Sequence, residues 1–431
     1  MKHLKLKLGL VAGLLAATSS LPAVAGEVSV ARFFGACENA GSDTKASVGE
    51  ACIIQSILNA TSEADNGVMI NTRTIDWGTY YDQLKTSYAG GTPPDVHVMH
   101  RHRVPEFAGL GALADLTDDL EEYGIDPNDW TPAARDAVTY NGRLMGVPMD
   151  LHANLWHINM DVMEQAGLVE DGKPILPTSP EELLAHAKQV KEATGLDYIT
   201  SDFTEMVGAR LVMAFLWQQN ENIFTADNQA TINTPEAKRA IETITQLFDN
   251  DLSDPDTNYA DAQQRFLSGE AAILVNGTWV VDFYDAEAKK SEVPLNDYYV
   301  ADFPTLFEQG ATWADSHMWA IPASLKASDP DTYADAMTVL ASINDHNIDW
   351  ARTGHMAVRK SVLDSAEYSN LPHRDEYAET ATKATDSPAA VNYGAIQEAL
   401  VAQLRTIWLL DTPIEEALEI AEQDVQDLLD R

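Results

Sequence analysis

The chain has 431 residues, with 67 Asp and Glu against 28 Lys and Arg, and a formal net charge of −39. That length allows two or three domains with sizeable cores. So acidic a composition excludes nucleic acid and anionic membrane surfaces as partners, because both require clustered Lys and Arg. It suits a protein kept soluble in salty surroundings, where screening weakens self-repulsion.

The basic start with Lys2, Lys5 and Lys7, the apolar run Leu8 to Ala17 and the small-residue motif Ala23-Val24-Ala25 predict a signal peptide over residues 1–25. Cleavage would leave a mature chain beginning near Gly26 and take the charge from −39 to −42. The run is too short and alanine-rich to span a bilayer. No cysteine follows the cleavage site, which argues against a lipid anchor, so the expected location is the periplasm. No later stretch reaches about 18 apolar residues. Export permits disulfides, and Cys37 and Cys52 are the two cysteines of the chain. A bridge closing that loop would contribute about 3 kcal/mol in the chain-entropy picture; two buried free thiols are the alternative.

Val28 to Phe34 predicts a first strand, Gly49 to Asn59 a helix, Val68 to Ile75 a second strand and Tyr80 to Ala89 a second helix. The turn Gly90 to Pro94 leads to a short strand at Asp95 to Met99 and a helix at Val104 to Leu110. This alternation predicts parallel βαβ units with right-handed crossovers. Leu144 to Ile158 reads as extended, Met160 to Gly167 as a helix, and Pro180 to Thr194 as a long helix capped by Ser179 with Glu182 three residues on. Arg210 to Gln219 is almost wholly apolar, and Thr234 to Asn250 is helical. Ala271 to Val275 is an uninterrupted apolar run, the pattern of a strand buried on both faces. Trp279 follows it at the strand end, where open α/β sheets bind ligands. Asp297 to Pro304 and Met318 to Pro322 read as extended, and Asp331 to Asn344 and the run from Asn392 onward as helices, with Thr412 capping a turn at Pro413.

Several of these segments, in this order, carry a resemblance. Gly90 to Val96 (GGTPPDV), Gly146 to Asp150 (GVPMD) with Leu155 to Asn159 (LWHIN), and Glu164 to Leu168 (EQAGL) form one set. Phe266 to Ile273 (FLSGEAAI) with Gly277 to Trp279, and Gly354 to Val362 (GHMAVRKSV), form another. Together they resemble the extracellular solute-binding proteins of the maltose-binding type, which serve ABC sugar importers. The resemblance spans the whole mature chain. It departs in the segment from Cys37 to Cys52 and in a site richer in histidine. It implies a periplasmic-binding-protein-like α/β fold of type II: two α/β lobes joined by a multi-crossing hinge. Lobe one is expected over 27–147 plus 303–343 and lobe two over 148–302 plus 344–431, with crossings near Pro148, Phe303 and Asn344. A carbohydrate would be trapped when the lobes close, and inner-membrane ABC permease subunits would receive it. A monomer is expected, with no cofactor and no enzymatic activity. A polyol, a compatible solute or a phosphorylated polyol is the alternative ligand, and a secreted carbohydrate-active enzyme the alternative activity.

Sugar recognition needs aromatic faces for C–H stacking and planar polar groups for hydroxyls. Trp279 matches the family's stacking position. Trp77 and Asp76 follow the second strand and Phe34 the first. Asp150 falls at the first crossing, as a hydroxyl acceptor or a hinge hydrogen bond. Asn276 adjoins Trp279. His100 or Arg101 would donate after the third strand, Asp315 and His317 would lie on a polar cleft loop, and Tyr393 would precede a late helix. Arg352 is a ligand donor or a salt bridge within lobe two. His97, His100 and His102 cluster, but the pattern seldom makes a metal site, and none is expected. Asp315-Ser316-His317 has the composition of a hydrolytic triad, whose members meet in space rather than in sequence. No phosphate loop, dinucleotide glycine motif, HExxH or nucleophile elbow is present.

Overall fold

The computed structural model describes residues 27–64, 68–386 and 389–431. The predicted signal peptide lies outside the described residues. In the first lobe, Met69–Thr74, Glu27–Arg32 and Val96–His100 run parallel, as the βαβ spacing predicts. His317–Ala320 then joins antiparallel to Val96–His100, and Val147–Pro148 antiparallel to it in turn. The sheet is therefore mixed, because its last two strands belong to chain segments entering and leaving the other lobe.

The second lobe is built around His152–Asn159, buried at every position. Ala271–Gly277 lies antiparallel on one edge and is itself fully buried, as its apolar run predicts. The other edge carries Tyr298–Asp302 and, nearer the hinge, Thr312–Asp315. Each lobe has its own core: Val28, Ile53, Val98, Trp319 and Leu340 pack in the first, and Ile158, Leu183, Phe215, Ile273 and Ile407 in the second.

The chain passes between the sheets at Met149-Asp150-Leu151 and at Ser316. The second passage was expected near Phe303. Instead Phe303 packs edge-on against Trp156 inside lobe two, and the chain makes one more strand there, Thr312–Asp315, before crossing. That strand, Thr-Trp-Ala-Asp, has no apolar run, and its pairing with Ala153 and His152 on one side and Ala384–Asp386 on the other identifies it. After the helix Pro330–Asp345, the chain packs back on the first passage. Asn347 donates to the Met149 carbonyl (2.7 Å), and Met356 and Leu151 exchange backbone bonds of 2.9 and 3.0 Å.

Local signals explain the helix starts that matter. Ser179 accepts from the Glu182 amide at 3.2 Å and opens Pro180–Thr194. Asp76 accepts from the Gly78 amide at 3.0 Å, so the second helix begins at Trp77, three residues before the expected Tyr80. The last helix starts at Ile414 with Pro413, not Thr412, in the cap position. Cys37 and Cys52 are bridged, with Cα atoms 5.0 Å apart. Among the described residues no helix is long and apolar enough to cross a membrane.

Candidate ligand-binding cleft

A cavity of about 580 Å³ lies between the lobes beside the hinge. Lobe one supplies Phe33 and Phe34 after its first strand, Asp76 and Trp77 at a helix start, and His100 at a strand end. Lobe two supplies Asp202, Glu205 and Arg210 around the start of the helix Met206–Trp217, with Tyr259 and Trp279. His152 and His317, the first residues of the two strands leaving the hinge, form its floor, and Glu50 closes one flank.

Trp279 sits on the turn Thr278–Val280, with its indole folded over Gly277, where any Cβ would collide with the ring. Its Nε1 donates to the Tyr259 hydroxyl at 2.9 Å, and Asn276 donates to the same oxygen at 3.4 Å. Asn276 is thus buried behind the wall and orients Tyr259 rather than lining the cavity. Trp77 faces the cavity from the opposite lobe and is 39% exposed, available to a ligand.

Asp150 is fully buried and accepts four N–H groups. They come from His152 Nδ1 (2.9 Å), the His317 amide (3.1 Å), His317 Nδ1 (2.8 Å) and Trp350 Nε1 (2.7 Å). Burial would raise its pKa, but His317 and His355 beside it, with the bonds from His152 and His317, hold it well below the carboxylate range. Of the two roles read for Asp150, the geometry supports the hinge hydrogen bond. Burial, then His317, takes His152 down to about 4 and His100 well below its usual value, and burial lowers His355. Among the described residues, Asp150, His152, His317 and His355 are a group able to hold a metal ion, their ligand atoms all within 4.8 Å of one another. The four N–H donors already fill the carboxylate, so hydrogen bonding accounts for the arrangement. His97, His100 and His102 turn to different partners: Tyr88, His317 and Asp315. Asp315 and His317 likewise face different partners, His102 and Asp150, and make no triad with Ser316.

The remaining predicted contacts lie outside the cavity. Arg101 pairs with Asp386 (2.8 Å) and Asp136 (3.5 Å) and borders a separate cavity of about 850 Å³ beside the C-terminal helices. Arg352 donates to the carbonyls of Thr44, Lys45 and Ser47 at 2.5–3.2 Å, pinning the disulfide loop. Asp315 is buried, with its pKa lowered chiefly by His102 against the opposing effect of burial. Tyr393 is buried against His102, with ring centres 5.4 Å apart. The cavity does receive Trp279, Trp77, Asp76, Phe34, His100 and His317. Sequence reasoning passed over Arg210, Tyr259, His152, Glu205, Glu50 and Phe33. Arg210 had a usable signal: a lone cation inside an apolar helical run, in a residue type seldom buried without a partner.

Against this geometry, the profile of the bacterial extracellular solute-binding protein family matches residues 59–376. The chain belongs to that family. A lactose-binding protein of Rhizobium radiobacter is 23% identical over 240 residues, 54% of each chain. A probable sugar-binding periplasmic protein of Mesorhizobium japonicum is 25% identical over 231 residues, 51% of this chain and 52% of its own. The chain spans about half the length of these curated relatives. Among solved structures, maltose-bound MalE3 of T. maritima superposes with a TM-score of 0.79 at 19% identity, covering 93% of this chain and 99% of that one. At that identity the likeness speaks for the two-lobed fold alone.

Proposed function

We propose that this protein is the periplasmic substrate-binding component of an ABC importer. It captures a carbohydrate between its lobes and hands it to membrane permease subunits. The observation that carries this reading is the placement of Trp77 and Trp279 on opposite lobes, facing one cavity of about 580 Å³ beside the hinge. Indole faces stack on the apolar C–H faces of sugar rings, and the volume lies within the range of small-ligand sites. Lobe closure would bring both rings onto one ligand. The sugar-binding relatives support the ligand class and the permease partnership, and the predicted signal peptide supports the location. Capture makes or breaks no bond, so the protein is not an enzyme in this reading.

Charge selects within the class. Glu50, Asp76, Asp202 and Glu205 line the cavity against Arg210, while Arg101 and Arg352 are engaged elsewhere. A neutral hydroxylated ligand fits this wall better than a phosphorylated polyol. Thermal shifts against mono-, di- and oligosaccharides and polyols test the reading: a neutral sugar is expected to raise the melting temperature. Trp279→Ala is expected to weaken the best ligand by about 30-fold, the scale of a buried aromatic anchor of about 2 kcal/mol. Trp77→Ala, at the exposed mouth, should cost less. Reducing sugar released from a glycan by the wild type would replace the binding role with a hydrolytic one.

A further inference from the structure

The hydrogen bonds of the hinge decide which nitrogen of His152 carries a proton, and the consequence reaches into the cleft. It rests on the carbohydrate reading above. An ionised carboxylate can only accept, so each nitrogen facing Asp150 must be a donor. His152 Nδ1 lies 2.9 Å from Asp150 Oδ1 and therefore bears the proton. In the neutral ring, Nε2 is then left with its lone pair. No described residue bonds that nitrogen, although the ring is only 2% exposed and lines the cavity.

Arg210 is its counterpart. The side chain is 6% exposed, its Nε is buried without a partner, and no described residue accepts from the guanidinium. The guanidinium stacks on Trp313, 3.7 Å from the ring centre, and the His152 ring lies 5.6 Å from the same indole. Each is also 5.8 Å from Trp279. An open acceptor and a guanidinium without a hydrogen-bond acceptor thus border the same two indoles and line one cavity. Buried polar groups in native proteins are nearly all satisfied, and an unfilled one costs about 1–3 kcal/mol. Arg210 carries such a group at Nε, and with the open His152 Nε2 it lines a cavity whose occupant can supply both partners.

We propose that His152 Nε2 and the Arg210 guanidinium are the acceptor and donor that read two neighbouring oxygens of the bound carbohydrate. One hydroxyl donates a hydrogen bond to His152 Nε2, and an adjacent oxygen accepts one from Arg210. The pair discriminates by what it refuses. A carbonyl, a ring or glycosidic oxygen, or a carboxylate placed at His152 would set lone pair against lone pair, since the Asp150 bond keeps the proton on the far side of the ring. The Asp150 hub thereby acts on specificity without touching the ligand.

The experiment takes the sugar giving the largest thermal shift and titrates the whole protein calorimetrically with that sugar and its monodeoxy and monofluoro derivatives. Fluorine keeps an acceptor and removes the donor. At one position, deoxy and fluoro derivatives are expected to lose affinity alike, by about tenfold. In His152→Phe that position becomes indifferent, while the other positions keep their wild-type order. Nitrogen-15 spectra of the histidine rings give a second measurement that needs no variant. His152 Nε2 should be unprotonated in the free protein and should shift when the sugar is added. Binding with no donor-dependent position, or a protonated Nε2 in the free protein, overturns the assignment and leaves the carbohydrate reading intact. No binding by any sugar or polyol removes both. Should His152→Phe not fold, the derivative series and the spectra on the wild type decide alone.

Discussion

Asp150 and Arg210 are both buried charges beside one cavity, and they are treated in opposite ways. Four N–H groups converge on Asp150 from three chain segments that meet at the hinge. Arg210, within one helix, receives no hydrogen-bond acceptor from any described residue and lies between two indoles. Removing a charge from water is costly unless it is paired and hydrogen-bonded. The hinge meets that cost internally, which makes Asp150 a structural group. The cleft leaves it unmet, which marks Arg210 as a group whose partner comes from outside. Satisfaction of hydrogen bonds, more than burial or charge, separates the part that holds the lobes together from the part that binds.

The largest expected effect tests the satisfied side. Asp150→Ala leaves four donors unfilled in the hinge and should destabilise the protein by about 3–5 kcal/mol in chemical denaturation, the scale for breaking a buried charge network. A loss below about 1 kcal/mol would remove Asp150 from the centre of the hinge.

Arg210→Met tests the other side and should move stability the opposite way. Burial already lowers the Arg210 pKa to about 10, a sign that its charge is poorly accommodated. Replacing it with an apolar side chain of similar length should leave the free protein as stable or about 1 kcal/mol more stable, while ligand binding is lost. Loss of stability comparable to that of Asp150→Ala would erase the contrast.

The smallest expected effect sharpens a contact at the flank. Asp282 of lobe two accepts from the Gly49 amide at the end of the disulfide loop (2.7 Å), and burial pushes its pKa up to about 7. Its folded value lies above its unfolded value of about 4, so the folded chain holds a proton that the unfolded chain releases. The contribution of this carboxyl to stability is therefore full below about pH 4 and falls as the pH rises to about 7. Asp202, pushed up to about 6 by burial and Glu205, works in the same direction. Asp282→Asn, still able to accept from Gly49, should flatten the melting temperature between pH 4 and 7 and raise it at pH 8. An unchanged pH profile would mean that this carboxyl does not titrate in that window.

The two sides of the comparison were not equally legible in the sequence. Trp279 could be placed because the apolar run at Ala271 to Val275 has the pattern of a strand covered on both faces, and Trp279 follows its carboxyl end. Trp77 and Asp76 were legible because they follow the second predicted strand, with the Asp76 cap setting where the helix starts. Asp150 was found at a crossing but left between two roles, because its partners His317 and Trp350 lie 167 and 200 residues away. Arg101 and Arg352 looked like ligand donors by residue type alone, and the structure gives each of them other partners.

What the amino-acid sequence by itself determined is the periodic content: the buried and half-buried strands, the capped helices and the α/β alternation. Each of these follows from interactions within a few residues, where side-chain period and backbone hydrogen bonding are set locally. The second crossing at Ser316, the tautomer of His152 and the unmet charge of Arg210 were decided only by the tertiary structure. Each depends on which distant groups occupy the remaining hydrogen-bond positions. A residue's letter states what it can donate or accept, and only the packed neighbours state what has been left unfilled.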